Sequence, residues 1–316
     1  MFREKIKVLD CTIRDGGLVN NHDFDERFVR EVYKAISASG VDYMEMGYKN
    51  SKKLFSEKEF GKWKFCDDED IKKATDGIES KTKISVMVDV GRVDIDDVKP
   101  KSQSPVDMIR VATYVKDIDK AIFLVNHFAE KGYETTVNIM AITKALDNEL
   151  TEALHQLENE CKAKVIYIVD SFGFLYQETT ELLVKKYKSI LKTKEVGMHA
   201  HNNQQLGFSN TIEAIIHNAN YLDATIYGLG RAAGNCPLEL LIGFLKNPKF
   251  DIRPILDVIS KEFIPLRNKI EWGYIIPHAI TGMFNEHPRT AMAMRKTDKK
   301  DDYRAFYDTF TGPALD

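Results

Sequence analysis

A chain of 316 residues can bury a large core, either as two ordinary domains or as one α/β barrel with an appendage. Its 45 basic and 48 acidic residues nearly cancel, which leaves no net field that would attract nucleic acid or an anionic membrane surface, and favours a small-molecule role. The four cysteines, Cys11, Cys66, Cys161 and Cys236, are widely spaced without a Cys-x-x-Cys pair, so they read as reduced, mostly buried thiols. The N-terminus runs into a strand without an apolar signal region, and no apolar stretch is long enough to span a bilayer, so a cytoplasmic protein is expected.

From Ile6 onward short apolar runs alternate with amphipathic ones. The first strand is predicted over 6–10 and a helix over 25–39, then a strand over 41–47 and a helix over 68–78. The third strand, 84–89, leads into a shortened helix at 93–98 that Pro100 ends. Strands at 107–112, 135–140 and 164–170 follow, each with a helix behind it, at 116–131, 148–161 and 178–191. The seventh strand ends in His199-Ala200-His201, and a helix at 207–218, a strand at 222–226 and a sealing helix at 237–245 complete the series. Eight βα units fit an α/β fold of the closed (β/α)8 TIM-barrel type over residues 1–250. A doubly wound open sheet would place its glycine-rich turn after the first strand. Here the glycines of Gly228-Leu229-Gly230-Arg231-Ala232-Ala233-Gly234-Asn235 follow the last one and read as a loop closing the barrel mouth. The long connections 48–67 and 90–106 fall on the same face. Residues 251–316 have no strand to pair with and form a C-terminal helical appendage, with the mixed charges of 295–302 as a solvated connection.

A strand sends residues i and i+2 to one side, so His199 and His201 point together, and a metal ion is one reason for such a pair. Residues just past the strand ends build the site of a barrel, and polar groups collect there. They are Asp10, Arg14 and Asp15 after the first strand, Glu45 on the second, then Asp89, Arg110, Asn138, Asp170 and Asp223. Side-chain layers draw on alternate strands, so the first and seventh can share one, which would bring Asp15 to the histidines. Two imidazoles and a carboxylate leave open positions for water or substrate and suit Mn²⁺, Mg²⁺, Co²⁺ or Zn²⁺. Taken singly, Asp10, Asp89 and Asp223 read equally well as structural groups that bond loop amides.

Asp10-x-Thr12-Ile13-Arg14-Asp15-Gly16, His199-x-His201-Asn202 and Gly228-x-Gly230-x-x-x-Gly234-Asn235 together resemble a metal-dependent lyase family. It is the family of 3-hydroxy-3-methylglutaryl-CoA lyase, isopropylmalate synthase and 4-hydroxy-2-oxovalerate aldolase, and the likeness runs through residues 6 to 245. Ile109-Arg110-Val111-Ala112-Thr113 and Ala233-Gly234-Asn235-Cys236-Pro237-Leu238-Glu239 look most like the aldolases. The resemblance implies a divalent cation, Mn²⁺ first, with Asp15, His199 and His201 as ligands and Asn235 as a further ligand or orienting group. It implies Arg14 as the charge that stabilises an enolate, and a pyruvate-type 2-oxo acid or hydroxy-oxo acid as substrate, with a carbon–carbon bond cleaved or formed. The alternatives are a condensation of an acyl-CoA with a 2-oxo acid, and a non-catalytic metal-binding barrel serving as an assembly subunit. In the aldolases a histidine follows the motif arginine by four residues and acts as base, whereas this chain has Leu18 there. The base is therefore unassigned, with His22 in the same loop as a substitute and Tyr274 and His278 in the appendage behind it. The resemblance further implies a dehydrogenase partner for the appendage, with pairing of two copies of the chain as the open alternative.

Overall fold

Strands that are buried on both faces need cover on both sides, and all six residues of Val165–Asp170 and of Met108–Thr113 are buried. A closed parallel barrel inside a ring of helices provides that cover. The computed structural model describes residues 3–312. Residues 1–2 and 313–316, the outer ends of the expected barrel and appendage, lie outside the described residues. The barrel strands are β1 (Lys7–Asp10), β2 (Tyr43–Tyr48), β3 (Lys83–Asp89) and β4 (Met108–Thr113), then β5 (Glu134–Ile139), β6 (Val165–Asp170), β7 (Glu195–Ala200) and β8 (Tyr221–Ala224). They pair in chain order, and β8 closes on β1 from Lys7 opposite Tyr221 to Asp10 opposite Ala224.

The helices turn one apolar stripe to the barrel. In Glu26–Ala38, Asp25 caps the first turn by accepting the Phe28 N–H at 2.7 Å, and Phe28, Val29, Val32, Tyr33 and Ile36 are buried at helical spacing. Alternate strand residues such as Val86, Val88, Ile109, Val111, Val196 and Met198 join them in the outer core. The opposite set faces the barrel axis. Leu9, Tyr43 and Met108 make its floor with Tyr221, and Tyr48, Met87 and Ala112 line its upper end with Leu18 and Met140.

Tyr48 reaches that upper end through an irregularity. Glu45 lies opposite Ser85 and Tyr48 opposite Met87, three steps on β2 for two on β3. Strict alternation from Glu45 would turn Tyr48 outward, and the extra residue of the bulge turns it in. The bulge needs Gly47, whose φ is +152° and whose added Cβ would stand 2.0 Å from the Trp63 carbonyl oxygen.

Beyond the barrel, helices at Arg253–Val258, Ile276–Met283, Arg289–Met294 and Tyr303–Thr311 bear out the helical reading of the C-terminal stretch. This stretch is fastened to the barrel. Glu262 pairs with Arg27 at 2.7 and 2.8 Å, Phe263 packs on Phe28 at 5.4 Å, and Trp272 Nε1 donates to the Tyr227 carbonyl at 3.1 Å. One expectation is corrected: the helix expected at 93–98 shrinks to a single 3-10 turn, Ile95–Asp97. The charged stretch 295–302 is an exposed connection over 296–302, and Arg295 at its start is tied to Glu271 at 2.7 Å and Asp301 at 2.9 Å. All four cysteines are free and buried. Among the described residues, no helix is long and apolar enough to cross a membrane.

Candidate metal centre and active site

The chain leaves β1 and turns at once into a one-turn helix, Thr12–Gly16, which sequence periodicity is too short to reveal. Asp10 holds this turn. Its carboxylate accepts the Thr12 N–H at 3.2 Å and the Thr12 hydroxyl, and that hydroxyl accepts the Ile226 N–H at 2.8 Å beyond β8. Burial pushes the Asp10 pKa up to about 7. The turn carries Arg14 and Asp15 over the barrel mouth, where both are buried, Arg14 against Glu45 of β2 and Asp15 against His199 of β7.

His199 Nε2 lies 3.4 Å and His201 Nε2 3.7 Å from Asp15 Oδ2, and the donor atoms of these three residues all fall within 4.8 Å of one another. Each imidazole is oriented from behind. His199 Nδ1 donates to Asp223 Oδ2 and His201 Nδ1 to the Asp170 carbonyl, both at 2.9 Å, which turns the Nε2 lone pairs toward Asp15. His201 Nε2 and both side-chain polar atoms of Asn235 are buried without a hydrogen-bond partner. Buried polar groups rarely stay unpaired, so these donors fit a cation that they would share with Asp15. Asn235 reaches this place because Gly230 lets the loop after β8 approach closely. An added Cβ there would meet Asn235 Nδ2 at 2.1 Å and Asp15 Oδ1 at 3.1 Å. Cys11, with His199 and Asp223, forms a second cluster of potential ligands. That one is poorly suited, since burial drives the Cys11 pKa well up and Asp223 is held by Arg110 at 2.6 Å.

The charges form a closed ring around the centre. Asp15 takes Arg14 NH1 at 2.6 Å, Arg14 Nε takes Glu45 at 2.7 Å, and Glu45 takes Arg110 NH1 at 3.1 Å. Arg110 NH2 then meets Asp223, which holds His199, which faces Asp15 again. Arg110 also lies 4.4 Å over the Tyr167 ring in the barrel centre. Burial alone would raise the Asp15 pKa, but Arg14 and then the histidines outweigh it and hold the carboxyl well below its usual range. Burial lowers the His201 pKa to about 3, so its ring is neutral and able to ligate. For His199 burial is outweighed by Asp15 and Asp223, which raise its pKa; the same two carboxylates favour a cation in place of that proton.

The cavity above these groups is lined by Arg14, Asp15, Leu18, Tyr48, His199, His201 and Arg231, with Met87, Ala112, Asn138, Met140, Val169 and Ser171. Of the residues predicted from sequence, Arg14, Asp15, His199, His201 and Asn235 come together. His22 and Tyr274 do not join them. His22 is buried behind the wall, edge-on to Tyr48 at 5.3 Å and against Gly17, and burial lowers its pKa to about 3. Tyr274 is 59% exposed on a separate surface with Arg267 and Trp272, and His278 lies inside the C-terminal helices. Leu18 does line the cavity, at the position where the resemblance places a histidine. Tyr48 and Arg231 were missed, as was the pairing of Arg110 with Glu45 and Asp223, which were read only as strand-end groups. The bulge hides the first, and the others show only as single charges at strand ends or in a loop.

A closed (β/α)8 barrel with a carboxylate and two histidines at the carboxyl end of its strands defines a barrel of the metal-dependent enzyme type. The chain belongs to the HMGL-like family, whose model matches residues 5–260. It is 29% identical over 279 residues to a 4-hydroxy-2-oxovalerate aldolase of Thermus thermophilus, covering 84% of this chain and 80% of the relative. It is 27% identical to the 4-hydroxy-2-oxovalerate aldolase of Carboxydothermus hydrogenoformans, covering 94% of this chain and 90% of that one. Among solved structures, the N-terminal domain of a candidate aldolase from Bacteroides vulgatus superposes with a TM-score of 0.79 at 30% identity, over 95% of this chain and all of the other. The carboxyl transferase domain of Rhizobium etli pyruvate carboxylase shares the fold, with a TM-score of 0.71 at 15% identity, over 97% of this chain and 56% of that one.

Proposed function

We propose that this chain is a divalent-metal-dependent aldolase that cleaves or forms a carbon–carbon bond next to a 2-oxo acid, with pyruvate as the small fragment and Mn²⁺ as the first choice of ion. The observation that carries this reading is the set of unpartnered buried donors, His201 Nε2 and Asn235, turned toward Asp15 inside a ring of paired charges. Asp15, His199 and His201 are the proposed ligands, with Asn235 as a fourth. When bound, the cation supplies Lewis acidity toward the carboxylate and keto oxygens of a 2-oxo acid.

Arg14 spends two of its nitrogens on Asp15 and Glu45 and still lines the cavity, so its remaining N–H groups meet the charge that develops on the keto oxygen as the bond breaks. Glu45 holds the guanidinium still, which spares reorganisation during the reaction. In the cleavage direction the 4-hydroxyl passes its proton to the Tyr48 oxygen while Tyr48 releases its own to solvent at the cavity mouth, and the bond between carbons 3 and 4 opens to an aldehyde and an enolate that a solvent proton turns into pyruvate. Burial raises the Tyr48 pKa, so its hydroxyl keeps its proton, and among the described residues no protein group bonds it. In the condensation direction Tyr48 is placed to give that proton to the aldehyde oxygen. The catalytic barrel of this reading is residues 1–250, and residues 251–316 are its appendage.

The test is the retro-aldol cleavage of 4-hydroxy-2-oxopentanoate before and after exhaustive chelation. Activity should vanish with the metal and return with Mn²⁺; cleavage that survives chelation would overturn the proposal.

A further inference from the structure

The inner chamber at the proposed metal ligands, about 420 Å³, opens into a wider outer one of about 840 Å³, and Leu18, Tyr48 and Arg231 stand in the walls of both. A 2-oxo acid seated by its carboxylate and keto oxygen at the inner end would send the rest of the molecule outward between Leu18 and Tyr48. What it meets there is positive charge. The two acidic residues of the outer wall are already paired, Asp89 with Arg92 at 3.0 Å and Asp117 with Lys120 at 2.6 Å. Arg231, Arg289 and Lys116 line the same wall, and among the described residues no carboxylate lies within 4.0 Å of their charged side-chain nitrogens. Arg231 is partly buried, and its Nε is buried with no partner.

His287 indicates where a ligand atom belongs. Its Nδ1 accepts the Arg289 backbone N–H at 3.1 Å, so a neutral ring carries its proton on Nε2. That Nε2 stands 3.5 Å from Arg231 NH1, so two donors face one another with no acceptor between them. Burial, then Arg231 and Arg289, lower the His287 pKa to about 4, which keeps the ring neutral at physiological pH. Two donors converging on a cavity wall are satisfied together by one anionic oxygen.

We infer that the far end of the substrate, the part that leaves as the aldehyde, carries a carboxylate or phosphate group held by Arg231, His287 Nε2 and Arg289. This inference rests on the aldolase reading above for the position of the substrate. Leu18 fits the same picture, since an apolar side chain beside the path lets the short carbon chain pass between the two charged ends.

Isothermal titration of the Mn²⁺-loaded protein decides it by binding alone. One arm compares 2-oxoadipate with 2-oxohexanoate, which match in length and differ in the terminal carboxylate. The other adds inorganic phosphate to the pyruvate-saturated protein and compares it with chloride at equal ionic strength. A terminal charge that tightens binding by about tenfold in the first arm assigns a carboxylate, and phosphate binding confined to the second assigns a phosphate. In either case Arg231→Gln and Arg289→Gln should each abolish most of the preference. No preference in both arms, or a preference that both variants retain, would overturn the inference. Exchange of the pyruvate methyl protons in deuterated water, followed by NMR, separates the two levels. Exchange without an anion preference leaves the aldolase reading standing and removes this one, whereas an anion preference without exchange leaves an anion site but overturns the aldolase reading and, with it, the assignment of that site to the departing aldehyde.

Discussion

Asp223 accepts the Nδ1 proton of His199 at 2.9 Å while Arg110 holds the same oxygen at 2.6 Å, so the tautomer of a proposed metal ligand on β7 is set by a carboxylate on β8. Groups behind a ligand typically change metal affinity by about 10–100-fold when removed. Asp223→Asn should weaken Mn²⁺ binding by that order, measured by titration with electron paramagnetic resonance detection. Unchanged affinity would mean that His199 is not a ligand.

Arg14 separates metal binding from chemistry. It competes with a cation for Asp15, so Arg14→Gln should leave Mn²⁺ affinity equal or higher, while kcat of the retro-aldol reaction falls by about 10²–10³-fold. Parallel loss of affinity and kcat would reduce Arg14 to a structural role.

Tyr48→Phe tests the proton carrier. The ring stays wedged among His22, Lys64 and Arg14, so the pocket should keep its shape. The retro-aldol kcat should drop by about 10²-fold with pyruvate binding within about threefold of the parent. A kcat within that same range would return the role to another group.

Arg110 is fully buried between Glu45 and Asp223. Arg110→Met leaves Glu45 with Arg14 alone and Asp223 with His199 alone in the barrel interior, and breaking a buried pair this way costs about 3–5 kcal/mol. Urea denaturation should report a loss of that size, well above the ~1 kcal/mol of an ordinary substitution.

His278 provides a test of pH dependence. Burial lowers its pKa from 6.5 to about 4, so between those values the unfolded chain binds a proton that the folded chain refuses. Stability contributed by neutral His278 is therefore present above about pH 6.5 and lost as pH falls toward 4, by up to about 1.4 kcal/mol per unit. Burial raises Asp10 to about 7 and Asp170 to about 6, which acts in the opposite direction over the same range. The comparison is therefore between the parent and His278→Gln. Their difference in unfolding free energy should shift in favour of the variant from pH 6.5 to 4, and a pH-independent difference would contradict the burial argument.

Periodicity located all eight strands and ordered them, because a buried parallel strand and an amphipathic helix each leave a local signature that needs no partner. The same local reasoning placed His199 and His201 on one side of β7, since a two-residue repeat is a property of the strand itself. Meeting across the barrel is a property of closure. Asp15 reaches the histidines only because β1 pairs with β8 and the Asp10–Thr12 contacts fold the next turn over the mouth. The ring from Arg14 through Glu45 and Arg110 to Asp223 joins residues scattered over more than 200 positions, and their places at strand ends do not say which of them pair. Tyr48 turns inward through a bulge that the β3 register defines, and Arg231 faces His287 because the C-terminal helices are fastened to the loop after β8. The sequence by itself determined the barrel, the motif residues and the family likeness. The tertiary structure alone decided which charges pair, which donors are left without partners, and which positive groups face the open chamber, because each of those depends on distances between strands that the chain order does not contain.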